Sequence, residues 1–300
     1  MGIVAECKVC FHHCKLKEGQ VGFCLARRCV GGQVVAENYG RITSLALDPV
    51  EKKPLRRFYP GSRFLSLGSY GCNLRCPFCQ NYELSYTEEA AALAETANTM
   101  SPQEIVDLAK SCRSQGNMGI AYTYNEPLVG YEFVRDTAIL AKKIKLMNIL
   151  VTNGTAEPEI EEELLPYMDA MNVDLKAFTD RFYRDFVGGN RQKVMDFIYR
   201  AAGECHLEVT TVIIPGENDS EKEMDELSSF LAQVGREKDC DIPLHITRFF
   251  PRFKLKDRSA TSLNTIDVLF DAAKKNLRYV YVGNLYQWEG LKNEKRNEDY

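Results

Sequence analysis

The stretch RFLSLGSYGCNLRCPFCQN, residues 63–81, decides how the rest of the chain is read. RFLSLGSY has strand character, and directly behind it Cys72, Cys76 and Cys79 stand in the spacing C-x3-C-x2-C. Three thiolates this close can grip three irons of a cubane, and no cysteine in residues 80–111 supplies a fourth ligand nearby. One iron is then left with an open position for a substrate or cofactor, just as catalytic zinc sites keep one position free. The bland alternative is half of a zinc ribbon, which asks for a second C-x2-C pair roughly 15–20 residues away.

Outward from this stretch, short β-rich runs alternate with amphipathic stretches of helical length. The predicted strands are 63–70, 119–124, 148–152, 170–175, 207–214 and 243–247, with a seventh at 278–283. Helical patterns lie between them at SPQEIVDLAKSCRSQG, YEFVRDTAILAKKIKLM, EPEIEEELLPYM, RQKVMDFIYRAAGEC and SEKEMDELSSFLAQVG. In the first of these Ser101 and Glu104 form a capping-box pattern and Gly116 is a stop signal. Repeated β-then-α units imply a parallel sheet with right-handed crossovers, and six or more in a row favour an α/β fold closed as a partial or full (β/α) barrel. A doubly wound open sheet is the alternative. The chain divides into a Cys-rich segment at 1–32, short strands and a linker at 33–62, the barrel at 63–284 and a polar tail at 285–300.

The formal charge of -4, without a long Lys/Arg run, gives no electrostatic footprint for a nucleic-acid backbone. No stretch approaches the roughly 18–20 apolar residues that cross a bilayer, so a soluble, cytoplasmic protein is expected. Of eleven cysteines, eight fall within the first 79 residues. In a reducing compartment clustered cysteines are read as metal ligands or redox centres rather than disulfides. Cys7, Cys10, Cys14 and Cys24 form C-x2-C-x3-C-x9-C, with Cys29 as a further thiol, in a segment too small to build a core of its own. Four thiolates would close a zinc site or an auxiliary iron–sulfur cluster there, and spacing alone does not separate the two.

C-x3-C-x2-C with an aromatic residue before the last cysteine, here Phe78, is similar to the signature of the radical S-adenosylmethionine superfamily. The resemblance implies a 4Fe-4S cluster whose open iron binds S-adenosylmethionine. One electron then cleaves the sulfonium to methionine and a 5′-deoxyadenosyl radical that abstracts hydrogen. The matching residues fall at predicted strand ends, where barrel enzymes place their sites. YNEP brings Asn125 and Glu126 to the place of the family's GGE-like motif, without its glycines, and a carboxylate there can accept from the methionyl ammonium. TNG and DLK bring Thr152, Asn153, Asp174 and Lys176, and PLHIT brings His245, to positions that resemble cofactor-contacting residues. Each also has a plain reading as turn residue, local ion pair or core histidine.

ECKVCFHHCKLKEGQVGFCLAR, YGRITSLALDPVEKKPL and YTYNEP resemble the AmmeMemoRadiSam radical enzymes, described as homologues of pyruvate formate-lyase activating enzyme. Phe11-His12-His13 stands where that family often has Pro-His, and nothing after Cys240 supplies its C-terminal C-x2-C pair. The resemblance implies an oxidoreductase that activates a glycyl radical enzyme or another protein, with flavodoxin or ferredoxin as electron donor. The alternatives are radical modification of a small molecule and a non-catalytic zinc scaffold.

Overall fold

The computed structural model describes residues 4–285. Residues 286–300, most of the expected polar tail, lie outside the described residues. Eight strands make the central sheet: β1 Ser44–Pro49, β2 Arg63–Gly68, β3 Asn117–Tyr122, β4 Met147–Thr152, β5 Ala170–Asp174, β6 His206–Ile213, β7 Leu244–Arg248 and β8 Val280–Gly283. Their spatial order is the chain order from β1 to β8. β2 to β8 pair in parallel, and β1 joins β2 antiparallel. An order without reversal has no switch point, which separates this fold from a doubly wound sheet and gives the expected partial barrel. All seven predicted strands are present. β1, inside the stretch read as strands and linker, also belongs to the sheet.

Successive strand residues face opposite sides, and the buried residues split accordingly. Leu65, Ile120, Leu150 and Met171 pack under the crossover helices in the main core. Their neighbours Phe64, Ala121, Ile149 and Ala170 form a second cluster with Val50, Leu55 and Phe58. These three come from the connection between β1 and β2, which starts where Pro49 pairs with Arg63 at the N-terminal end of β2. That connection therefore fills the inner face from the end opposite the three cysteines. Inside it Lys53, 2% exposed, donates to Asp48 at 2.9 Å, and Tyr124 Oη donates to the same carboxylate at 2.8 Å.

The helices follow their caps. Ser101 and Glu104 make the reciprocal capping box of Pro102–Ser111, and Gly116, in the left-handed region, ends the 3-10 turn Cys112–Gln115 that follows it. The Cys-rich segment consists of small hairpins, Val4–Glu6 with Lys15–Lys17 and Arg27–Val30 with Gln33–Ala36. It is held to the barrel by the Arg27–Glu132 ion pair at 2.6 Å and by the Glu157 amide, which donates to Val9 O at 2.9 Å. Among the described residues no helix is long and apolar enough to cross a membrane.

Candidate active site

The loop after β2 carries Cys72, Cys76 and Cys79, and its entry is fixed by Gly71. With φ at +99°, a Cβ there would stand 2.6 Å from Ala26 Cβ and 2.7 Å from Cys24 O, so only glycine fits. The next amide, that of Cys72, donates to Cys24 O at 3.1 Å. Cys76 is buried, and Cys72 and Cys79 are half-buried. Donors are aimed at the Cys72 sulfur: Leu74 N–H at 3.4 Å and Asn153 Nδ2 at 3.8 Å from Sγ, while Cys79 Sγ lies 3.6 Å from Ser85 Oγ, whose own proton goes to Asn81 O at 2.8 Å. Burial raises the Cys72 thiol well above its ordinary pKa and pushes Cys76 up to about 12, against the pull of Lys176. Metal loading must therefore displace protons, and the aimed donors suit thiolates. Phe78 packs the loop against Phe182 and Phe186 at ring separations of 6.3 and 5.9 Å.

Glu126 follows β3 and is 3% exposed. Its carboxylate accepts from Thr152 Oγ1 at 2.6 Å, Asn153 N at 2.8 Å and Leu128 N at 3.0 Å. Burial raises its pKa to about 7 in spite of these donors, with Asp174 adding to the rise. Asn153 links this carboxylate to the cysteines, because its Nδ2 also donates to Asn73 Oδ1 at 2.9 Å. Asn125 faces the other way: it accepts from Ser69 N and donates to Tyr70 O and Gly71 O, bracing the backbone that leads into the loop. Beyond β5, Lys176 Nζ donates to Asp174 Oδ2 at 2.9 Å. Burial alone would lower the Lys176 pKa, but Asp174 and Cys76 outweigh it and raise it.

The structure thus joins Cys72, Glu126, Thr152 and Asn153 in one network and sets Asp174 and Lys176 beside Cys76. His245 is elsewhere. It is the second of five residues in β7, 4% exposed, and shares the Glu208 carboxylate with His206 and the Arg56 and Arg57 amides. The strand-end position expected for it is corrected by this register. Its imidazole completes a network against the β1–β2 connection, because a carboxylate inside the barrel must be hydrogen-bonded to stay ionised. Asn73, Arg75 and Glu208, and Tyr183 whose hydroxyl accepts from the Lys176 amide at 2.9 Å, were not singled out by the sequence. The motif CNLRC contains the first two, and a lone Glu in LEVTTVII was the available signal for Glu208.

Cys7, Cys10 and Cys24 are buried and Cys14 is half-buried, near enough that the charge of one thiol bears on others. Cys29 turns away, with Sγ 4.0 Å from Glu18 Oε2. Among the described residues no three His, Cys, Asp or Glu side chains gather round a single-ion position. A cubane, whose cysteines ligate different irons, asks for a wider spacing.

The family model of the radical SAM superfamily matches residues 67–228, from the end of β2 into the first half of the helix Glu221–Lys238 that follows β6. The chain belongs to the radical SAM superfamily. An uncharacterized protein of Methanocaldococcus jannaschii is 38% identical over 95% of this chain and 83% of its own length. Pyruvate formate-lyase 1-activating enzyme of Escherichia coli is 27% identical over 62% of this chain and 75% of its own. The FeFe-hydrogenase maturase HydG of Carboxydothermus hydrogenoformans superposes with a TM-score of 0.54 at 12% identity, over 72% of this chain and 52% of that one. Streptococcus suis SuiB bound to S-adenosylmethionine superposes with a TM-score of 0.52 at 13% identity, over 82% and 51%. These two structures bear on the fold. Membership in the radical SAM superfamily implies a 4Fe-4S cluster and S-adenosylmethionine.

Proposed function

We propose that Cys72, Cys76 and Cys79 hold a 4Fe-4S cluster at which S-adenosylmethionine is cleaved, and that the protein activates a glycyl radical enzyme. The observation that carries this reading is the Cys72–Asn153–Glu126 network at the C-terminal edge of β2, β3 and β4. When bound, the cluster supplies one electron to the sulfonium, releasing methionine and a 5′-deoxyadenosyl radical for hydrogen abstraction.

The chain's own residues do the holding. Glu126 accepts from the methionyl ammonium with the lone pair that its three internal donors leave free. Thr152 and Asn153 fix that carboxylate, and Asp174 and Lys176, paired beside Cys76, would hold the ribose hydroxyls. Phe78 and Asn125 shape the loop, and His245 braces the barrel floor through Glu208. Cys7, Cys10, Cys14 and Cys24 would hold an auxiliary iron–sulfur cluster, their spacing being too wide for a single zinc ion, and it would staple the Cys-rich segment over the loop. The electron comes from a low-potential carrier such as flavodoxin or ferredoxin. The activase reading draws on the relative named as a pyruvate formate-lyase 1-activating enzyme. Its test is anaerobic incubation of the reconstituted protein with a pyruvate formate-lyase, reductant and S-adenosylmethionine. A glycyl radical doublet in the EPR spectrum supports it. 5′-Deoxyadenosine without that doublet moves the substrate to a small molecule.

A further inference from the structure

Arg75 stands between Cys72 and Cys76 and points back toward the Cys-rich segment. Its Nη1 donates to Cys72 O and Leu74 O, each at 2.9 Å, and its Nη2 donates to Phe23 O. The guanidinium carbon lies 3.7 Å from the Phe23 ring centroid and 4.8 Å from that of Tyr86. Tyr86 in turn donates to Cys76 O at 2.6 Å. The Arg75 side chain is half-buried, and among the described residues no carboxylate pairs with it. A partly desolvated cation without a carboxylate is costly unless other negative charge is near. It lies in the loop between Cys72 and Cys76, bonded to the carbonyl of the first and stacked on the Tyr86 ring whose hydroxyl bonds the carbonyl of the second. The negative charge within its reach is that of a cluster held on these cysteines as thiolates.

We infer that Arg75 is a positioning residue that raises the reduction potential of the loop cluster and couples that loop to the Cys-rich segment. The inference rests on reading Cys72, Cys76 and Cys79 as cluster ligands. Reduction adds one electron to the cluster, taken from a low-potential one-electron donor, and no bond is made or broken in that step. A fixed positive charge favours the more negative state, and net charge together with hydrogen bonding around the sulfurs is what sets such potentials. Arginine suits the place because its planar fork serves three carbonyls while its faces stack on two rings.

The experiment is an EPR-monitored redox titration of anaerobically reconstituted wild type, Arg75→Lys and Arg75→Gln, with iron and sulfide measured on the same samples. Arg75→Gln is expected to keep its iron but to show a roughly tenfold fall in the ratio of reduced to oxidised cluster at a fixed potential. That is a midpoint about 59 mV more negative for a one-electron couple. Arg75→Lys keeps the charge and stays near the wild-type midpoint, while limited proteolysis of its N-terminal segment quickens because the fork is lost. If Arg75→Gln holds full iron with an unchanged midpoint, the inference is wrong. Equal loss of iron from both variants also overturns it, since the charge would then be irrelevant. Wild type that assembles no cluster at all is a different failure, and removes the cysteine reading first.

Discussion

Replacing Glu126 by Gln is expected to weaken S-adenosylmethionine binding by roughly ten- to a hundredfold, and the size of that loss follows from its surroundings. A carboxylate offers about four lone-pair sites. Three are taken by Thr152, Asn153 and Leu128, which leaves one on the oxygen facing the Asn153 amide. A charge-assisted hydrogen bond to a buried acceptor contributes about 1.5–3 kcal/mol, and about 1.4 kcal/mol is a factor of ten in affinity. The amide of Gln keeps the shape but sets an NH2 donor against either the Asn153 or the Thr152 donor. The pH dependence gives a second readout. With the Glu126 pKa raised to about 7 by burial, the ionised form that accepts the ammonium is lost as pH falls below that value. Affinity in wild type should then drop by up to about tenfold per unit below pH 7, because a proton competes for the same site. Asp174 and Cys72 bear on the same carboxyl, so the Gln variant is the control that isolates Glu126. Equilibrium dialysis at pH 8 and pH 6, with iron content checked, measures both effects. A Gln variant that binds within threefold of wild type at both pH values, cluster intact, would refute the reasoning.

The remaining predictions concern what holds the site. Gly71→Ala should lower the unfolding midpoint and the iron content together, since strain of this kind costs about 1–3 kcal/mol before its contacts with Ala26 and Cys24 are counted. Lys53→Met leaves Asp48 buried without its main partner and should destabilise by about 3–5 kcal/mol in denaturant titrations. The double variant Asp48→Asn with Lys53→Met should recover a good part of that loss. Glu208 has its pKa held down to about 2 although burial pushes the other way, because His206, His245 and the Arg56 amide all donate to it. A depressed folded-state pKa gives stability that is full above about pH 4.5 and lost as pH falls toward 2, worth about 3 kcal/mol here. Urea midpoints of wild type and Glu208→Gln, compared at pH 7 and pH 3, should stand less than half as far apart at the lower pH, where about 1.4 of the roughly 3 kcal/mol remains.

The fold was legible because each crossover unit announces itself. A short apolar run, a cap such as Ser101 with Glu104, a periodic helix and a stop such as Gly116 repeat along the chain, and local signals agree with the global arrangement. β1 was less visible because Ser44–Pro49 is a single edge strand whose partner lies on its far side after a thirteen-residue connection, and nothing local says that the connection fills the barrel. Of the site, the grouping of Cys72, Cys76 and Cys79 could be read from spacing, whereas Glu126 entered only through the family resemblance, since Asn-Glu-Pro alone reads as a turn. The direction of a side chain could not. Asn125 and Glu126 are neighbours in a turn entered through Tyr124 at φ +74°, yet one braces backbone and the other faces the network. His245 was misplaced for a related reason. Strand register is fixed by pairing with β6 and β8, and a residue near the end of an apolar run is not always near the end of a strand.

The measurement that bears most directly on the account is 5′-deoxyadenosine production by anaerobically reconstituted protein given dithionite and S-adenosylmethionine, with Cys76→Ala run beside it. The account predicts 5′-deoxyadenosine from wild type and none above background from the variant. A fully reconstituted wild type that makes none, or one that binds zinc at the loop in place of iron, would contradict it.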